Sequence, residues 1–346
     1  MQTVPPAPFR RALSAADRTV LRLSFAATFA FGVAAVREWD FSFLAPVLAV
    51  QILAASPACP GLRQGLTIPL VILAATHLAL GASTLLAGSP AVLLALVGLV
   101  ICWTFFGQRR GAPAIAMLLV QIAFCCVPLI STISLDLARE FSDFMLWSSI
   151  AAVATVWIAF ALFPAPVGQA QAAAAPQGLE PRQAAVVAIS DTLVLLPLLV
   201  VFIVGGEINN IVILMITINL LREIELAGSR RLALGILLAN LLGGALAVLA
   251  HQFIQVADNL ALFLLSVFLA GLWFGGRLVR GGELAPIYAV AFSTFLLVLG
   301  LGLTPLPSGS EELFAVRIIK IGLASLYAIG ALSLVAWLRS GPRTGP

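Results

Sequence analysis

The sequence predicts an all-α integral membrane protein with about twelve transmembrane helices, arranged as two parallel six-helix repeats in a pseudo-dimer. Three observations carry that expectation. Of the 346 residues, 61% are hydrophobic and only 10% charged, with a mean hydropathy of +1.10. A soluble domain is usually about 45–50% apolar and about 25% charged, so this chain has too little polar surface to cover a water-facing globule. Apolar runs near span length recur along the whole chain, and the basic residues between them fall mostly on one side of a membrane. Twelve spans of about 20 residues leave only short connections, which excludes a soluble catalytic domain.

The runs, bounded by Gly, Pro or charge clusters, fall in order at 20–36, 41–56, 66–87, 91–106, 113–133 and 144–163, then at 183–204, 208–221, 232–254, 259–275, 284–303 and 313–338. Only the boundary between the third and fourth lacks a charge; there the turn signal Gly88-Ser89-Pro90 divides them. With a cytoplasmic N-terminus, 15 of the 19 basic residues lie inside, and Arg37, Arg139, Arg317 and Lys320 lie outside. That asymmetry predicts that both termini face the cytoplasm.

The stretch 165–182, APVGQAQAAAAPQGLEPR, reads as a cytoplasmic linker between repeats at 1–164 and 183–346. At an offset near 167, Gly61-Leu62-Arg63 aligns with Gly228-Ser229-Arg230 and Phe106-Gly107-Gln108-Arg109 with Phe274-Gly275-Gly276-Arg277. Ala112-Pro113 aligns with Ala285-Pro286 and Arg139 with Arg317, with small drifts between anchors. An even number of spans per repeat gives both halves the same orientation, so their axis runs along the membrane normal.

Several chemistries are not expected. Cys59, Cys102, Cys125 and Cys126 show no CxxC spacing, and three of them sit in apolar runs, where cysteine packs as a small hydrophobe. The two histidines have no metal-ligand spacing, so neither a metal nor a cofactor is expected. No GxxxxGK[ST] motif is present for direct use of ATP, and no GxSxG motif for a membrane hydrolase; the chain does not read as an enzyme. Arg10 and Arg11 are followed by no h-region with a cleavage site, so no removed leader is expected.

Phe41 to Gln51, followed by Pro57, Gly61, Arg63 and Gly65, with an echo from Arg230 through Gly235 to Gly243-Gly244, resembles the fusaric acid resistance and aromatic acid exporter superfamily. Distant relatives of that superfamily include the plant aluminium-activated malate channels. The resemblance covers most of the membrane part in order and spacing, but not the sizeable cytosolic domains that many such exporters carry. It implies a compact branch of fused repeats exporting aromatic or other organic acids. Expected partners are the lipid bilayer, a small organic anion, and either a periplasmic adaptor or a second copy of the chain, but not nucleic acid.

Short spans at corresponding positions of two halves point to a transporter's binding site. Here they are 41–56, with Pro46 and Gln51, and 208–221, with Asn209, Asn210, Thr217 and Asn219. Gln51 projects to position 218, so Gln51 and Asn219 are expected at nearly one height, where amides can donate to and accept from an oriented carboxylate or phenol. Interhelical hydrogen bonding alone is the plainer reading. Arg139 and Arg317, with Lys320 one turn further, could form an anion-attracting ring at the outer mouth or snorkel to headgroups. Asp191, with Arg22 near the matching depth, is either a proton-coupling carboxylate or half of a structural ion pair. His77, mid-span, is a proton relay or a packing residue, and His251 is expected at the interface. A passive anion channel and a non-transporting envelope subunit are the alternatives to export.

Overall fold

The computed structural model describes residues 13–55, 58–165, 178–205, 214–215, 217–219, 221, 230–257, 259–303, 327 and 330. Every regular element among them is helical. The first six helices are α1 (Ala15–Val36), α2 (Leu44–Ala55), α3 (Leu62–Leu85), α4 (Pro90–Arg109), α5 (Ala114–Ser131) and α6 (Leu135–Leu162). After the linker come α7 (Pro181–Gly205), α8 (Arg230–Ala257), α9 (Leu260–Arg280) and, beyond a 3₁₀ turn, α10 (Ala285–Leu303). Leu214, Met215, residues 217–219 and Leu221 are also helical. The expected span 313–338 lies outside the described residues except for Tyr327 and Gly330.

Among the described residues, seven helices are long and apolar enough to cross a membrane: α1, α3, α4, α5, α6, α7 and α9. Shorter apolar helices occupy Leu44–Ala55, Leu238–Ile254 and Ala285–Gly300. The protein is therefore a multi-pass helical membrane protein. Its outer surface is apolar: Leu66 and Leu70 of α3, Leu99 of α4, and Leu265 and Leu269 of α9 are exposed. In water these would form an aggregating patch, whereas lipid is their natural neighbour.

Local chemistry sets the helix ends. Ser14 and Asp17 form a reciprocal capping box, which starts α1 five residues before the hydropathy run. Pro90 opens α4 at the first turn, where its missing N–H costs nothing. Ser134 caps α6 by accepting from the Leu137 N–H, so that helix begins nine residues before the expected 144. The charges of Asp136, Arg139, Glu140 and Asp143 break the hydropathy signal without breaking the helix.

Each helix packs on a few others. α3 lies on α5 and α8 on α10; α4 touches α5 and α9 touches α10. The most extensive seams between residues on either side of the linker join α1 to α9 and α4 to α7. α2 is buried along most of its length and touches α1, α6 and α10. Phe41, just before it, packs edge-on against Phe141 of α6 at 5.1 Å. Association in lipid depends on close packing rather than on a hydrophobic drive. Gly271 and Gly275, one turn apart on α9, accordingly face α1, with Gly271 against the Ser24 backbone. On α8, Gly243 likewise sits against the Ala291 backbone of α10.

Candidate functional site

α2 carries its one amide inward. The Gln51 Nε2 donates to Asn219 Oδ1 at 3.3 Å, joining residues 168 positions apart. Asn219 Nδ2 donates in turn to the Met215 carbonyl, 2.9 Å away. Gln51 Oε1 is buried and has no hydrogen-bond partner among the described residues. Thr217 is wholly buried two positions before Asn219. The two short apolar segments thus meet through amides, and both amides have hydrogens that an anionic oxygen could accept. Asn209 and Asn210 lie outside the described residues.

The second polar contact ties α4 to α7. Arg109 Nη2 lies 2.9 Å from Asp191 Oδ2, with side-chain exposures of 8% and 0%. The same turn is held by a backbone bond, the Leu179 N–H donating to the Arg109 carbonyl at 2.8 Å, and by the Arg110 guanidinium, whose Nη1 donates to the Leu179 carbonyl at 3.0 Å. Asp191 therefore pairs with Arg109, not with Arg22. Arg22 is buried on α1, with its guanidinium 4.6 Å from the centre of the Phe160 ring. It also donates to Thr19 Oγ1 at 2.9 Å. A sequence reading that ends the fourth span at Phe106 leaves Arg109 in a loop; the helix continues to Arg109, and that places its side chain within reach of α7.

The remaining expected residues that are described do not converge here. His77 faces outward from α3, its Nδ1 2.9 Å from the Leu73 carbonyl in its own helix. Arg139 is exposed and pairs with Asp136 at 3.1 Å, one turn earlier on α6. Arg317 and Lys320 lie outside the described residues. His251, expected at the interface, is buried on α8.

Among the described residues, two buried amides carry no expectation from sequence. Gln121, on α5, is wholly buried, and neither amide atom meets a hydrogen-bond partner among the described residues. Its signal was available, as a lone amide in the middle of an apolar span. Asn240 of α8 accepts a short hydrogen bond from Thr294 of α10, and its amide donates to the Ile236 carbonyl at 3.3 Å. Burying an unpaired amide costs about 1–3 kcal/mol, so Gln121 is a point where the interior is more polar than packing requires. Against known proteins, the chain matches no family model, no curated protein and no solved structure.

Proposed function

We propose that the protein is a twelve-helix secondary transporter of the bacterial inner membrane, exporting aromatic or other organic acids along a path between two six-helix repeats, 1–164 and 183–346. The observation that carries this reading is the Gln51–Asn219 hydrogen bond. It joins the two short segments at corresponding positions, where transporters place their binding groups.

The packing supports the repeat. If α1 corresponds to α7, α3 to α8, α4 to α9 and α5 to α10, then the seam of α4 with α7 maps onto that of α9 with α1. The pairs α3–α5 and α8–α10 also exchange. The resemblance to the fusaric acid resistance and aromatic acid exporter superfamily supports the cargo class. Asp191 is the carboxylate through which a proton gradient would act, with Arg109 as its counter-charge. The basic excess at the ends of α4 and α9 supports cytoplasmic termini.

A non-transporting scaffold is the second reading. The buried Arg109–Asp191 pair favours it, because such a contact fixes two helices together.

Flux separates the two. In proteoliposomes with an imposed proton gradient, labelled benzoate should move uphill through the wild type. Gln51→Leu and Asn219→Leu should each cut that flux at least about tenfold, the loss expected when a group that orients the cargo is removed, at unchanged protein abundance. The double neutral variant Arg109→Gln/Asp191→Asn keeps a hydrogen-bonding pair without charge. It should leave downhill movement and abolish uphill movement. No benzoate flux in the wild type favours the scaffold, and purely downhill flux favours a channel.

A further inference from the structure

The α1–α9 seam differs from the α4–α7 seam in its charges. Arg277, which aligns with Arg109, sits at the same end of α9 as Arg109 does of α4. No acidic residue occurs in α1 between Asp17 and Glu38, so α1 offers no counterpart to Asp191. Arg277 instead lies 5.7 Å from the centre of the Trp273 ring. Beside it opens a cavity of about 900 Å³, lined by Asp17, Leu21, Trp273, Arg277, Arg280 and Tyr288 among others. The carboxylate of Asp17 is already engaged, accepting from the Ser14 N–H at 3.2 Å and the Ser14 hydroxyl at 2.7 Å. Two guanidiniums against one capped carboxylate leave the cavity positive among its described lining residues.

Its depth and continuation identify the occupant. Asp17 and Arg37 are twenty residues apart on α1, about 30 Å, which matches the hydrocarbon thickness. The cavity at the Asp17 end is therefore at headgroup level, where Trp and Tyr concentrate. Leu21 and Leu272 line its wall. One turn deeper on the same two faces, Phe25 and Phe268 begin an apolar groove of about 520 Å³ that continues past Gly32 and Leu264. A basic, aromatic cavity followed one turn further along the same two helices by an apolar groove fits a phosphate headgroup with its acyl chain.

We infer that the α1–α9 seam is a binding site for an anionic phospholipid, with its phosphate diester held by Arg277 and Arg280 and an acyl chain running past Leu21 and Leu272 toward Phe25 and Phe268. The net positive lining selects a headgroup without a compensating amine. The site lies apart from the Gln51–Asn219 contact and does not depend on the transport reading.

The test uses the full chain, delipidated in detergent. Added phosphatidylglycerol should raise the melting temperature by about 5 °C, and phosphatidylcholine of equal chain length should raise it much less. Arg277→Gln and Arg280→Gln should each reduce the shift and together remove it, while Arg63→Gln, an exposed charge on α3, should keep it. Glycerol phosphate, which presents the headgroup without chains, should give no shift. Native mass spectrometry of the wild type needs no variant and should show phosphatidylglycerol retained in preference to phosphatidylcholine. Equal retention of the two lipids, or a full shift in the double variant, overturns the site. An equal shift with glycerol phosphate shows a free phosphate-ester site and overturns the lipid as its source.

Discussion

The seams α4–α7 and α1–α9 start from similar sequence and end in different electrostatics. Each has a helix with Phe-Gly-x-Arg leading into its last turn at the same end of the bundle, Arg109 in α4 and Arg277 in α9. In the first seam, the neighbouring helix supplies Asp191, and the guanidinium is neutralised inside the protein at 2.9 Å. In the second, the spacing of 168 residues that separates Gln51 from Asn219 leads back from Asp191 to Leu23. Leu23 is flanked by Arg22, which turns to Phe160. Arg277 then stacks on Trp273 and borders a cavity. One acidic residue decides whether a seam is closed by the protein itself or offers its arginine to a ligand.

The largest expected effect tests that contrast directly. Removing one partner of a buried pair strands the other charge, at a cost of about 3–5 kcal/mol, whereas replacing both is often near neutral. Asp191→Asn should therefore lower unfolding stability by about 3 kcal/mol and reduce membrane abundance. Arg109→Gln/Asp191→Asn should recover most of the loss. Arg277→Gln in delipidated protein should cost less than about 1 kcal/mol, because no buried partner is left behind. Chemical or thermal unfolding in one detergent measures all three. Equal losses for Asp191→Asn and Arg277→Gln would erase the distinction between the seams.

A steric contrast of intermediate size separates the same two seams. A Cβ at Gly271 would lie 2.6 Å from the Ser24 Cα, a backbone atom that cannot step aside without moving α1. A Cβ at Gly98, on α4, would meet only the end of the Leu196 side chain at 3.2 Å, which can rotate. Gly271→Ala should cost about 2 kcal/mol through overpacking. Gly98→Ala should be nearly neutral, its mild crowding offset by the roughly 1 kcal/mol that alanine gains over glycine in a helix. If Gly98→Ala proves the more damaging, α4–α7 is the tighter seam, and the ion pair is not what distinguishes it.

Much of this contrast was legible in the sequence, and the missing part has a definable cause. Hydropathy placed most helices within a few residues, because in lipid an apolar run and a span are nearly the same object. It missed the first nine residues of α6, where Ser134 and the Asp136–Arg139 pair sustain a helix among charges. The contact of Gln51 with Asn219 was reachable because the offset, if taken as a repeat, puts the two positions at nearly one height. The partner of Asp191 was not. Matching depths suggested Arg22, but the choice between Arg22 and Arg109 depends on which face of α7 meets which helix, and hydropathy does not encode that rotation. Hydropathy leaves Arg109 in a turn, so in the sequence a residue that belongs to the interior serves only as a sign of orientation and an anchor of the internal offset.

The smallest effect fixes which membrane face the two arginine turns occupy. Cys59 precedes α3 and lies near the end of α6, where the Trp157 indole donates to the Pro60 carbonyl at 2.9 Å. If successive helices run in alternate directions, Cys59 shares its end of the bundle with Arg109 and Arg277. It is exposed, whereas Cys125 and Cys126 are buried. Even so, partial desolvation raises its thiol above the ordinary cysteine range. The thiolate is the reactive form, so labelling by a charged, impermeant maleimide should be slower than for a free thiol at neutral pH. Below the raised value, the rate should climb about tenfold per pH unit. Cytoplasmic placement predicts labelling in inside-out vesicles and protection in intact cells. Labelling of intact cells would turn the bundle over, carrying Arg277 and Arg280 away from the anionic cytoplasmic leaflet, which attracts each basic residue near its surface by about 1 kcal/mol.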